Sequence, residues 1–441
     1  MTNSPPLPDS AVPSPPGDPE RRGGPLEGYA DHANAVRLYE SQIYDDPAAS
    51  FQEMRREHGP LVPVLLENDI PAWLVIGYRE LHHVTSQSQL FGRDPRRWNM
   101  WDHLPRDWPS IMYVTWQPSA IFTEGAERRR RGGAIGDALD TVDRTELTLI
   151  CEQVADLMID EFSGRGQADL ISQYAYRIPA QAVIRLFGLP EADLPGLIRD
   201  IGHALDMNEE TAPANLRIAD TMHRLVADKR ARPDHDLTSH LLTHAARLTD
   251  EEVIQDLMVL AMASHSSSAN WIGNTLRLML VDDHFSMNLQ GGRSSVAEAL
   301  NEVLWKDSPA QSIPSRWAVQ DCELAGRRIR RGDLMVLGIA AANADPQVRP
   351  AAHSGSGANR AHMSFGHGEY GCPFPAPELG EIIAKTAVEV LLDRLPDVHL
   401  AVAPEALRWR RSMWVRGLEA LPVRFSPTVP AGRSPSNTWA R

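Results

Sequence analysis

The chain has 441 residues, 42% hydrophobic and 23% charged, an ordinary globular balance with room for a large core. Its 44 basic and 58 acidic side chains leave a formal charge of −14, which argues against non-specific nucleic-acid binding through a basic surface. There is no apolar run long enough to span a membrane and no basic-then-apolar secretory signal, and the three cysteines are too far apart for a disulfide framework, so a cytoplasmic chain is expected.

In chain order, residues 1–28 hold eight prolines and little apolar periodicity, which predicts a disordered tail. One domain is expected over 29–426, followed by a flexible tail over 427–441. Residues 61–66 and 72–76 are apolar and flank Glu67-Asn68-Asp69, a hairpin-like pair. Trp98, Trp101, Trp108 and Trp116 fall between 93 and 118, among prolines that prevent one continuous helix. That stretch reads either as a loop covering the core or as a substrate-facing wall.

Thr249 and Glu252 have capping-box spacing and open a helix expected to reach about residue 280. Its middle, 257–263, is apolar on all sides, which predicts burial. Ser264, Ser266, Ser267 and Ser268 then surround His265. Each serine can bond back to a carbonyl one turn earlier, or the group can form a polar notch facing a cavity. Further helices are expected over 298–306 and 378–394, the latter stopped by Pro396. Short strands are expected over 400–425, with a turn at Arg416-Gly417.

The stretch Ser364-Phe365-Gly366-His367-Gly368-Glu369-Tyr370-Gly371-Cys372 precedes the 378–394 helix. Its glycines permit positive φ and close approach to a flat partner. A cysteine near a helix N-terminus is expected to favour the thiolate, a good iron ligand. Two other readings remain: a zinc site from the evenly spaced His362, His367 and Cys372, and a plain structural cysteine.

This loop resembles the cysteine loop of the cytochrome P-450 superfamily, Phe-Gly-x-Gly-x-His-x-Cys-x-Gly, with Phe365, Gly366, Gly368 and Cys372 in register. Ala341-Ala342-Asn343-Ala344-Asp345-Pro346 resembles the family's Ala-Asn-Arg-Asp-Pro. Phe187-Gly188-Leu189-Pro190, Arg316-Trp317-Ala318 and Leu421-Pro422-Val423 follow in family order. The resemblance implies a mainly α cytochrome P-450 fold with a small β lobe, and haem b as cofactor. It implies Cys372 as the axial metal ligand, with Phe365, Gly366, Gly368 and Tyr370 around the cofactor and Arg316 and Arg128 toward a propionate. It implies an oxidoreductase acting on a small organic molecule, with electrons from a ferredoxin and ferredoxin reductase. Arg128, Arg129, Arg130 and Arg131 would then be a docking patch or simply a solvated basic face.

Several positions depart from the family pattern. Tyr370 replaces the loop histidine, and Phe374 replaces the glycine after the cysteine. Glu302-Val303-Leu304-Trp305 lacks the arginine of Glu-x-x-Arg, and Trp305 is expected to pack apolar surface instead. The family's His-x-x-x-Arg becomes Arg128 and Gly132. Ser266 and Ser267 stand where an acid and a threonine relay protons to iron-bound dioxygen. Ser267 can replace the alcohol, whereas Ser266 does not titrate near neutrality. A peroxide-driven enzyme, or a haem-binding regulatory or interaction protein with little turnover, are the alternatives. An actinobacterial subgroup lacking the same arginine resembles this chain.

Overall fold

The computed structural model describes residues 29–40, 43, 46–105, 108, 110–205, 210–282, 294–349 and 359–430. The expected tail over 1–28 lies outside the described residues. Of the C-terminal one only 427–430 are described, and there the Thr428 amide donates to the Ser163 carbonyl at 3.1 Å.

The strands lie mostly in the N-terminal third and just after residue 310. β1 (Val36–Arg37), β2 (Leu61–Leu66), β3 (Ile70–Val75), β4 (Phe91–Gly92), β6 (Ile313–Ala318) and β9 (Leu334–Leu337) form one mixed sheet in the order β1-β2-β3-β9-β6-β4. The expected hairpin is β2–β3, antiparallel from Leu61 opposite Val75 to Leu66 opposite Ile70. Both strands are buried along their whole length, so their near-continuous apolar sequence faces protein on both sides. Asn68 turns the chain at φ 63°, a left-handed value that asparagine tolerates. A smaller sheet joins β5 (Gln167–Asp169), β10 (His399–Leu400) and β11 (Pro422–Arg424), and β7 (Cys322–Leu324) pairs with β8 (Arg327–Ile329).

The remainder is mostly helix: α1 (Pro47–His58), α2 (Tyr78–Ser86), α3 (Gly125–Asp140), α4 (Arg144–Phe162), α5 (Arg177–Leu186), α6 (Leu194–Leu205), α7 (Thr211–Ala231), α8 (Asp250–Val281), α9 (Ser294–Lys306) and α10 (Ala376–Arg394). Their starts follow local chemistry. Asp46 accepts from the Ala49 amide with Pro47 at the first helical position, and Asp143 accepts from the Thr145 and Glu146 amides. Thr249 and Glu252 form the expected capping box at α8. The long α8 runs through the largest core cluster, with α5, α7, α9 and α10 packed against it.

The structure settles one open reading and corrects another. Trp98 and Trp108 are 3% and 1% exposed in a core cluster with Val62, Val64 and Trp317, so this part of the aromatic segment is core. The 257–263 stretch is not buried all round. Leu257 and Ala261 are buried, but Val259, Leu260 and Met262 are only partly so and Ala263 is exposed. Neighbouring helices cover most of α8, and the face carrying Leu260, Ala263 and Ser267 at helical spacing is left open among the described residues.

Candidate active site

The cysteine loop hangs from α9 through Asn343. Its amide nitrogen donates to the Leu304 carbonyl at 2.9 Å and to Ser364 Oγ at 3.1 Å, while its oxygen accepts from the Met363 amide at 2.8 Å. Ser364 Oγ donates to the same Leu304 carbonyl at 2.7 Å. The loop then folds on itself, with the Gly366 amide donating to Met363 O and the Cys372 amide to Phe365 O, each at 2.8 Å. Gly366 and Gly368 both have φ 71°, as the glycine reading expects. A Cβ on Gly368 would come within 2.4 Å of the Thr85 carbonyl, so only glycine lets the loop lie against α2. The Phe365 ring meets Trp271 of α8 edge-on at 5.8 Å, tying the loop to the long helix.

Cys372 lies four residues before α10 and is exposed by area. Its thiol is nonetheless pushed up to about 11, because surrounding protein desolvates it more than the Arg128 charge compensates. Iron binding would displace such a proton and leave the thiolate. A cleft of about 580 Å³ separates the loop from the glycine-rich face of α3, where Gly132, Gly133 and Gly136 present no side chains.

Arg316, on β6, is 2% exposed. Its Nη1 donates to the Ser315 carbonyl and hydroxyl at 2.9 and 3.2 Å, its Nε has no partner among the described residues, and its guanidinium lies 4.8 Å from the Tyr370 ring. Burial, then the charges of Arg93 and Arg128, push its pKa well down. Arg128 is 8% exposed and, among the described residues, donates only to the Glu369, Ala120 and Gly371 carbonyls, at 3.3–3.4 Å. Neither guanidinium has a carboxylate partner among the described residues. Arg93, which no motif pointed to, belongs to the same cluster; burial, then Arg128, push it down to about 10. A soft sulfur donor on a glycine loop near unpaired guanidiniums fits a haem: the sulfur would take iron, and the cations would take carboxylates.

The four-arginine docking patch does not form a patch. Arg128 is buried, and Arg131, 3% exposed, is bound to Asp256 at 2.6 Å. Asp256 also accepts from the Ala120 amide, so this pair locks α3 to α8. Its carboxyl is raised, since burial outweighs Arg131. Arg130 pairs with Glu127 and Glu252, and Arg129 alone stands well out, 3.4 Å from Glu369.

The helix without the family arginine holds a different tie. Glu302 pairs with Arg349 at 2.6 Å and with Lys306 at 2.8 Å. Burial opposes ionisation, but these two cations hold the carboxyl below its usual range. Trp305 is more than the expected apolar filler. Its Nε1 donates to the Asn359 carbonyl at 2.9 Å, beside Asn301 Nδ2 at 3.0 Å, and the Arg349 guanidinium lies 5.5 Å from its ring.

On α8, Ser264 bonds back to the Leu260 carbonyl at 2.5 Å, so the local reading holds for that serine. Ser266 is half-buried and Ser267 exposed, and neither hydroxyl has a partner among the described residues, which fits the notch reading. His265 turns away, its Nε2 2.7 Å from the Tyr176 carbonyl. For the zinc reading, His362 packs on Trp305 and His367 stacks on His82 at 4.2 Å; no group of three metal-holding side chains occurs among the described residues. No described helix is long and apolar enough to cross a membrane.

A cluster of buried guanidiniums near a cysteine loop, with that loop tied to a long helix that carries a polar face, fits the class of site that holds a haem through a thiolate. No family model matches the chain. Among curated proteins it is 31% identical over 284 residues to the polyketide biosynthesis cytochrome P450 PksS of Bacillus subtilis, covering 62% of this chain and 70% of that one. It is 28% identical over 411 residues to vitamin D(3) 25-hydroxylase of Pseudonocardia autotrophica, covering 88% and 96%. Among solved structures, PksS superposes with TM-score 0.77 at 26% identity over 88% of this chain and 99% of that one. CYP154C4 of Streptomyces sp. ATCC 11861 superposes with TM-score 0.80 at 24% identity, over 89% and 98%, which shows the fold. The chain belongs to the cytochrome P450 family and is a monooxygenase of that family, which implies a haem cofactor.

Proposed function

We propose that this chain oxidises an apolar small organic molecule, with haem b held through Cys372 and electrons supplied by a ferredoxin and its reductase. The observation that carries this is the Cys372 loop, folded by its own amide bonds and pinned by Phe365 to α8. Bound haem supplies electron transfer and oxygen activation at the iron. The chain's residues do the rest. Arg316 and Arg128 orient the carboxylate edge, with Tyr370 beside Arg316. Leu260 and Ala263 offer the substrate an apolar surface, and Ser267 can hold a water or a proton-bearing oxygen on the same face. Vitamin D(3), the molecule in the name of one relative, is largely hydrocarbon, which supports an apolar substrate.

The open face of α8 carries no acid, which favours a second reading, a peroxide-driven enzyme, because peroxide brings its own protons. The test takes haem-loaded protein through a reduced carbon monoxide spectrum. Product formation is then measured across an apolar compound library, with ferredoxin, reductase and NADPH in one arm and hydrogen peroxide in the other. Product in the first arm is expected. Product only with peroxide selects the second reading. A thiolate-haem spectrum with no product in either arm would overturn both and leave a haem-binding regulatory protein.

A further inference from the structure

The arginine cluster holds more positive charge than the family pattern accounts for. β4 and β6 run antiparallel, with Phe91 opposite Ala318 and Gly92 opposite Trp317. Continuing that register sets Arg93 against Arg316. Like charges directly opposite across a strand pair are destabilising, and here one of them is 2% exposed. Arg93 is held in place: its amide donates to Glu124, and its Nε donates to the Ile121 carbonyl at 2.8 Å. Arg128 reaches the adjacent Ala120 carbonyl from α3, so both side chains grip one turn. Glu124, the nearby acid, is committed to Arg97 at 2.5 and 2.9 Å. Three guanidiniums are thus gathered, and among the described residues none is in a direct ion pair; Glu124, Asp256 and Glu369 act on them only from further off.

We propose that Arg93 is a binding residue for the haem carboxylates, supplying from the β4 edge the cation that Gly132 no longer supplies from α3. Two carboxylates facing Arg93, Arg128 and Arg316 convert mutual repulsion into charge-assisted hydrogen bonds. The inference rests on the haem reading and adds one position that the motifs do not mark. Gly132 is its complement: a Cβ there would sit 3.5 Å from the Arg128 guanidinium carbon, ordinary contact, so a longer side chain can be introduced beside Arg128.

The test uses the full chain loaded either with haem or with its dimethyl ester, whose carboxylates carry no charge. Transfer of each to excess apomyoglobin gives the rate of loss. Arg93→Gln keeps a donor for the Ile121 carbonyl and removes the charge. It is expected to lose haem about tenfold faster than wild type, the scale of one charge-assisted bond, and to lose the ester at the wild-type rate. Gly132→Arg in that background is expected to recover part of the loss for haem alone. Equal acceleration for haem and ester, or none for either, overturns the assignment of Arg93. If wild type retains neither haem nor ester, the haem reading itself fails. Arg93→Lys, which keeps charge without the planar fork, should fall between wild type and Arg93→Gln.

Discussion

Putting arginine at Trp305 would restore the family residue, and the structure predicts that this does harm. Trp305 is 4% exposed and packs edge-on against His362 at 5.9 Å. Glu302, the partner a new arginine would seek, already holds Arg349 and Lys306. The Arg349 guanidinium lies 5.5 Å from the Trp305 ring centre, so a second guanidinium there meets it at about that distance. At an effective dielectric of about 20, such repulsion costs about 3 kcal/mol. Attraction to the shared Glu302 offsets part of it, while the lost aromatic packing adds to a cost that reaches roughly 3–5 kcal/mol for full truncation of a buried tryptophan. A net loss of at least about 2 kcal/mol follows for Trp305→Arg. Trp305→Phe gives up only the bond to the Asn359 carbonyl, which Asn301 still serves, and should lose about 1 kcal/mol. Urea unfolding midpoints and the fraction of haem retained after gel filtration measure both variants. If Trp305→Arg matches or exceeds wild type in either, Glu302 has spare capacity and the relocated pair with Arg349 is not the tie.

Cys372→Ala should abolish the thiolate-haem Soret band of the reduced carbon monoxide complex, and a variant that keeps the wild-type band would remove the cysteine from the site. Ser266→Asp should raise product formed per electron consumed, since it places a titratable group beside Ser267; no change from an already tightly coupled wild type would mean that another relay exists. His362 is pushed down to about 4 by burial and then by Arg360, so between there and its unfolded value of about 6.5 the unfolded chain binds the extra proton. Its contribution to stability is present above about pH 6.5 and lost as pH falls toward 4; allowing for partial exposure, about 1 kcal/mol should disappear between pH 7 and pH 5. His362→Phe should flatten that limb of the urea midpoint against pH, and an unchanged slope would show that another group carries it.

The elements that local chemistry specifies were legible before any coordinates. The capping box set the start of α8, the paired apolar runs set β2–β3, and the loop glycines announced their positive φ. These signals act over three or four residues or through one period of side-chain alternation, so the order of residues carries them whole. The cysteine loop is read the same way, because its glycines and its cysteine are contiguous.

Other features depended on neighbours distant in sequence. Four consecutive arginines look alike in a row, yet helical geometry sends Arg128 and Arg131 inward and leaves Arg129 out. The missing arginine beside Glu302 suggested a lost ion pair, but Arg349, 47 residues on, makes one. The apolar run before Ser264 predicted burial all round, yet which helix faces are covered is a property of packing, not of composition. Arg93 gives no signal in the sequence because the role proposed for it arises from strand pairing: the register of β4 on β6, continued by one residue, brings it opposite Arg316. Local order along the chain thus specifies the helix starts, the hairpin and the cysteine loop. The tertiary structure decided which charges meet, because electrostatic energy depends on distance and burial rather than on position along the chain.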